Sequence, residues 1–216
     1  MQSYFQDELA KLRKRINKMF LLVGNQLEKS SQSVLNQEFE SSETTTLNEN
    51  RIDKLDTKID KLCQRIFALA QPVATDLRFI MSSLRIGNEI ERVGDIAFGI
   101  INRSESVRPY QETIEPYRVS ELFREVMQHT ARLAEAYANN NSELAKEIMT
   151  GCKKTVENCK AAFQEILSQM SAKSDVIIIA TDLILIIRDI ERISNHLENI
   201  AESIVFLVEG KRIKRS

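Results

Sequence analysis

The chain has 216 residues, enough for one large domain or for two that each bury a core. Its 43% hydrophobic and 28% charged content is that of a globular chain, and only six Gly and three Pro leave too few breakers for a β-rich fold. A net charge of -1 excludes a whole-molecule field that would draw the chain to nucleic acid or to an anionic bilayer.

In chain order, Leu9, Leu12, Ile16, Met19, Phe20, Val23 and Leu27 recur at spacings of three and four, which predicts a first helix from Ser3 to about Glu38. Its basic run KLRKRINK, Lys11 to Lys18, and the tail KRIKR, Lys211 to Arg215, are read as a solvated face and a frayed end, or as docking to an acidic partner or membrane surface. The polar patch from Glu40 to Asn50 offers Ser41, Ser42 or Thr44 as the cap of a second helix, which runs through Ile52, Leu55, Ile59, Leu62 and Ile66. Pro72 ends it and opens a third helix to about Arg103, because proline suits a first turn where its missing N–H would be unpaired.

The stretch Ser104 to Arg118 holds Pro109 and Pro116 and marks a boundary between halves. A fourth helix is expected from about Ser120 to Asn139, a turn at Asn139 to Glu143, a fifth helix to about Met170 and a linker from Ser171 to Asp175. The sixth stops near Gly210, placed as a glycine that follows a helix C-terminus. Within it, the apolar run Val176 to Ile187 is too short to cross a bilayer, which takes roughly 20 residues, and is read as core. Three cysteines, Cys63, Cys152 and Cys159, with no CxxC pair and no export signal at the polar N-terminus, read as reduced thiols of a cytoplasmic protein.

Two stretches repeat 100 positions apart: IERVGDIAFGI from Ile90 and IERISNHLENI from Ile190. With two runs of three helices, the repeat predicts an all-α, internally duplicated fold of two tandem antiparallel three-helix bundles, over residues 1–105 and 116–212. Residues four apart share a helix face, so Glu91 projects beside Asp95, and Glu191 beside Asn195. Adjacent carboxylates repel, and a hard cation relieves the repulsion while accepting their oxygens. The competing reading is a solvated charged face on which Arg92 and Arg192 pair locally and remove the need for an ion. Asn195 carries no charge, so the second site is expected to bind more weakly or to lack an ion, unless Glu198, Glu202 or His196 compensates. His196 and His129 are read as surface or inter-bundle hydrogen-bonding residues rather than ligands.

The elements NRIDKLDTKIDKLC (Asn50 to Cys63), AQPVATDLRFI (Ala70 to Ile80), NEIERVGDIAFGI (Asn88 to Ile100) and DIERISNHLENIAE (Asp189 to Glu202) resemble, in order and spacing, the PhoU family of accessory regulators of phosphate-specific transport. The resemblance covers essentially the whole chain. It implies two tandem three-helix bundles with an acidic metal motif in each, holding iron, zinc, magnesium or manganese. By position, Glu91 and Asp95 match the first motif and Glu191 with Asn195 the second, while Asp53 matches an acidic position that completes the cluster from helix two and Glu157 is its expected counterpart in helix five. The resemblance also implies negative regulation of phosphate uptake and of the phosphate-starvation (Pho regulon) response. It would act through the cytoplasmic components of a phosphate ABC transporter and a sensor histidine kinase, with peripheral membrane association through those partners. A sodium-coupled or inorganic phosphate permease is the alternative carrier.

An enzyme is the rival class. Carboxylate-bridged metal oxidases on helical bundles need Glu-x-x-His pairs, and neither His129 nor His196 has Glu three residues before it. No phosphate loop, HExxH or nucleophile motif is present, so no catalytic residue or organic cofactor is expected, and nucleic acid is not an expected partner. Apolar surface to spare on two elongated bundles predicts a homodimer.

Overall fold

The computed structural model describes residues 2–35, 42–69, 72–107, 118–172 and 177–211. They form six helices: α1 (Gln2–Leu35), α2 (Ser42–Leu69), α3 (Ala74–Val107), α4 (Val119–Asn139), α5 (Ser142–Ala172) and α6 (Ile177–Glu209). Helices α1 to α3 pack on one another as one bundle and α4 to α6 as a second, and the halves meet where α3 lies along α6 and α1 along α4. Contacts of Glu89 with His196 and of Arg103 with Asp189 show that α3 and α6 run antiparallel.

Each helix buries one stripe, and burial of an aliphatic side chain stabilises by about 1.5–3 kcal/mol. The stripes expose the duplication more sharply than residue identity does. Buried Ile52, Leu55, Ile59, Leu62 and Ile66 of α2 recur in α5 as buried Cys152, Thr155, Cys159, Ala162 and Ile166, each shifted by 100. Ile86, Ile90, Val93 and Ile100 of α3 likewise return in α6 as Ile186, Ile190, Ile193 and Ile200. For α1 and α4 the shift is 103: Ile16, Met19, Phe20 and Val23 correspond to Val119, Leu122, Phe123 and Val126. Gln26, inside the same stripe, corresponds to His129.

Local chemistry sets the helix ends. Val73, not Pro72, opens α3: its carbonyl accepts the first helical hydrogen bond from Leu77 N–H at 2.9 Å, so the proline stands one residue outside the helix. Asn140 adopts φ 50° as the α4 cap and Asn141 N–H bonds Ala136 O at 2.9 Å, while Asn141 Oδ1 accepts from Leu144 N–H at 3.0 Å to start α5. Gly210, at φ 69°, follows α6 as expected. The predicted boundary prolines Pro109 and Pro116, the cap candidate Ser41, most of the Ser171–Asp175 linker and the basic tail beyond Lys211 lie outside the described residues.

Helix α3 comes close to its neighbours at Gly94, where an added Cβ would lie 3.2 Å from Ile52 Cδ1 and 3.4 Å from Val23 Cγ2. Its counterpart Ser194 instead donates its hydroxyl to the Cys152 carbonyl at 3.0 Å. All three cysteines are free and buried, and burial pushes their thiols up to about 12, so they pack rather than react. The apolar run in α6 buries Leu183, Ile186 and Ile187 but leaves Leu185 exposed, so it is an amphipathic face rather than a wholly buried segment.

Between the halves, Tyr137 of α4 is fully buried against Phe20 and Phe79, and its hydroxyl lies 2.8 Å from Ser83 Oγ. The Arg13 guanidinium sits over Phe79 at 4.8 Å and donates to the Tyr137 carbonyl at 3.0 Å. The basic run of α1 is therefore partly structural; Lys11 is tied to Glu8, and Lys14 and Lys18 are exposed.

Candidate metal centre

The core stripes of α2 and α3 leave acidic residues along the seam between the two helices. On α2, Ile52 and Leu55 point inward while Glu49, Asp53 and Asp56 flank them; on α3, Ile90 and Val93 are buried beside Glu91 and Asp95. One carboxylate oxygen from each of Glu49, Asp53 and Asp95 lies within 4.8 Å of the others. Glu49 and Asp95 are half-buried, and Asp53 is exposed.

Like charges this close are costly, about 4 kcal/mol for a pair 4 Å apart in surroundings of intermediate polarity. The cluster answers with a proton. Burial first, then the hydrogen bond to Asp95 and the charges of Asp95, Asp53 and Glu91, push Glu49 up to about 8. Glu91 is also raised, by burial and then by Asp95, and Asp56 by burial and then by Asp60. Arg92 opposes this, with Nε 3.5 Å from Glu91 and Nη1 3.3 Å from Asp95. The expected local pairing exists, but one exposed guanidinium serves two carboxylates and leaves the rest of the cluster under-neutralised. Gln26 Nε2 donates to Glu49 Oε2 at 3.0 Å and Asn48 Nδ2 to Gln26 Oε1 at 2.6 Å, a chain that orients Glu49 from behind.

The second half does not reproduce this arrangement. Glu191 is half-buried and pairs with Arg188 at 3.2 Å, Arg192 turns to Asp189 at 2.9 Å, and Asn195 is exposed. Glu198 faces Lys153 at 3.8 Å. The burial stripes place Lys153, not Glu157, opposite Asp53 in the duplication; Glu157 is exposed and corresponds to Thr57. Among the described residues, a grouping of three metal-capable side chains occurs in the first half alone.

His196 bonds across the halves, as expected, with Nδ1 2.7 Å from Glu89 Oε2, which also accepts from Asn199 at 3.2 Å. His129 is not a surface residue. It is buried with Nδ1 3.8 Å from Cys152 Sγ and lies over Gly151, and burial lowers its pKa.

The structure thus brings Asp53 and Asp95 together, with Glu91 close enough to raise Glu49, and adds a residue that sequence reading missed, Glu49 itself. A signal was present: Glu49 and Asp53 are four apart, as are Glu91 and Asp95, so two matching acidic steps face each other across α2 and α3. Oxygen donors in this number and sign suit a hard cation.

The PhoU domain matches this chain twice, over residues 16–104 and 119–204. A phosphate-specific transport system accessory protein PhoU homolog of Xylella fastidiosa (strain 9a5c) is 28% identical over 212 residues, covering 97% of this chain and 88% of the relative. The phosphate-specific transport system accessory protein PhoU of Serratia marcescens is 27% identical, covering 97% and 86%. Among solved structures, PhoU from Pseudomonas aeruginosa superimposes with a TM-score of 0.87 at 26% identity, over 96% of this chain and all of that one. The phosphate transport system regulatory protein PhoU from Streptococcus pneumoniae, 23% identical, also has a TM-score of 0.87 and speaks for the fold alone. With six helices in two similar halves among the described residues and two domain matches that together span most of its length, this chain belongs to the PhoU family.

Proposed function

We propose that this protein restrains phosphate uptake and the phosphate-starvation response by docking on the cytoplasmic components of a phosphate ABC transporter and on a sensor histidine kinase. Family membership makes the chain an accessory and regulatory protein of phosphate transport, not an enzyme. The observation that carries the finer reading is near-full-length similarity to accessory proteins of the phosphate-specific transport system. Among the described residues no helix is long and apolar enough to cross a membrane, so on this reading membrane attachment runs through the transporter.

The donor set of the first half fits a metal ion: clustered oxygens, one of which otherwise needs a proton to coexist with its neighbours. Glu49, Asp53 and Asp95 would hold the ion and Glu91 would add charge beside them. Bound there, iron, zinc, magnesium or manganese would supply positive charge that ties α2 to α3. On this reading the protein self-associates as a homodimer.

The decisive experiment is co-purification with tagged transporter and kinase from phosphate-replete cells. Recovery of both supports the proposal; recovery of a sodium-coupled or inorganic phosphate permease alone would assign the protein to that carrier, and recovery of neither class would sink the adaptor reading. Elemental analysis should show metal in the parent and a loss of most of it in Glu91→Ala/Asp95→Ala. Light scattering at micromolar concentration should report a dimer, and a strict monomer is the adverse result.

A further inference from the structure

We infer that the second half of this chain binds no metal and carries in its place a covalently attached cation, the Lys153 ammonium. The duplication register makes the comparison residue by residue. At a shift of 100, Glu49, Asp53 and Asp95 become Met149, Lys153 and Asn195: an apolar side chain, a cation and a neutral amide. Every side chain of the three-oxygen grouping is thus replaced, and none by another carboxylate.

The two acids of α6 that stand nearest this position, Glu191 and Glu198, already have basic partners. Glu191 keeps the place of Glu91 but pairs with Arg188 at 3.2 Å. Glu198, which stands where the first half has Phe98, faces Lys153 at 3.8 Å across the α5–α6 seam. That seam is the counterpart of the α2–α3 seam where the first-half carboxylates meet. Met149 is buried, 7% exposed, so the position of Glu49 has joined the core. A divalent ion entering here would meet the Lys153 ammonium and would have to compete with Lys153 and Arg188 for two carboxylates and an amide. The first half gathers carboxylates whose repulsion an added ion would relieve; the second is neutralised by its own sequence at any metal concentration. Only one half of the molecule can then report metal.

The inference draws its contrast from the first-half metal site proposed above, and the test separates the two. Mn²⁺ titration by calorimetry on the full chain should show one class of site, abolished by Glu49→Gln/Asp53→Asn/Asp95→Asn. Complete loss in that background supports the inference, and Mn²⁺ binding that survives there overturns it. Adding Met149→Glu/Lys153→Asp/Asn195→Asp to the same background should create a site where the background has none, with folding checked by circular dichroism. A folded variant that takes up no Mn²⁺ overturns the inference. If burying Glu at position 149 prevents folding, Lys153→Asp/Asn195→Asp serves as the second variant under the same criterion. A parent that binds no Mn²⁺ defeats the first-half proposal alone, and the rebuilt second half then decides the inference by itself.

Discussion

Glu49→Gln removes one acid from the cluster while keeping the side chain's shape and an oxygen for Gln26. In the folded, metal-free chain Glu49 titrates near 8, against an ordinary value of 4.5. Between those two values the unfolded chain has released its proton and the folded chain has not, so metal-free stability falls as pH rises through this window and levels off above it. The displacement converts to about 5 kcal/mol at about 1.4 kcal/mol per pH unit. Glu49 is only half-buried, and solvent screening reduces the figure to about 2 kcal/mol. For a chain of this length that is a difference of roughly 4–8 °C in Tm. Melts in chelator should therefore show the parent losing stability from pH 5 to pH 8. Glu49→Gln should match it at pH 5, exceed it by about that margin at pH 8, and retain only the shallower slope due to Glu91 and Asp56, whose shifts have the same sign. Added Mn²⁺ should reverse the order at pH 8, because the parent gains a ligand and the variant has lost a donor. A parent whose chelated stability is flat over this range, or a variant with an unchanged slope, would refute the reasoning.

Tyr137→Phe should cost about 1–2 kcal/mol in urea unfolding, because it strips the buried Ser83 hydroxyl of its 2.8 Å partner; an unchanged midpoint would show that hydroxyl to be satisfied otherwise. A double-mutant cycle of Glu89→Gln and His196→Ala, run at pH 6, should return a coupling of about 1 kcal/mol, and additive effects would remove this tie from the seam. Gly151→Ala gains about 1 kcal/mol of helix propensity but puts a Cβ 2.6 Å from His129 Nε2, an overpacking cost of about 1–3 kcal/mol. The net loss should change sign in a His129→Ala background, and thermal melts that keep the same sign in both backgrounds would contradict the contact.

Helix number and duplication were legible because long chains of apolar residues at spacings of three and four survive in both copies, with few breakers to interrupt them. The α5 register was not. Its core stripe runs through Cys152, Thr155, Cys159 and Ala162, small or weakly apolar residues that hide the periodicity which Ile52, Leu55, Ile59 and Leu62 display openly. That is why Glu157 looked like the partner of Asp53 when Lys153 holds the place. Glu49 escaped for another reason: spacing fixes which residues share one helix face, but not which faces meet across a seam. His129 was misread because a polar residue in a buried stripe carries no mark of its burial; the backbone of Gly151, which makes room for its ring, lies 22 residues away.

Glu89 and Glu91 stand two residues apart on α3, which turns them to opposite sides of one helix. Glu91 borders the acidic seam with α2, and Glu89 grips His196 and Asn199 of the other half. A rod held at both flanks cannot tilt on one side alone. If the proposed cation draws α2 toward α3, the same rod would be turned against α6, and ion arrival in one lobe would be felt as torque at the joint between lobes. The His196 imidazole, bonded to Glu89 on the far side of that rod, is a natural nuclear magnetic resonance reporter of such a movement.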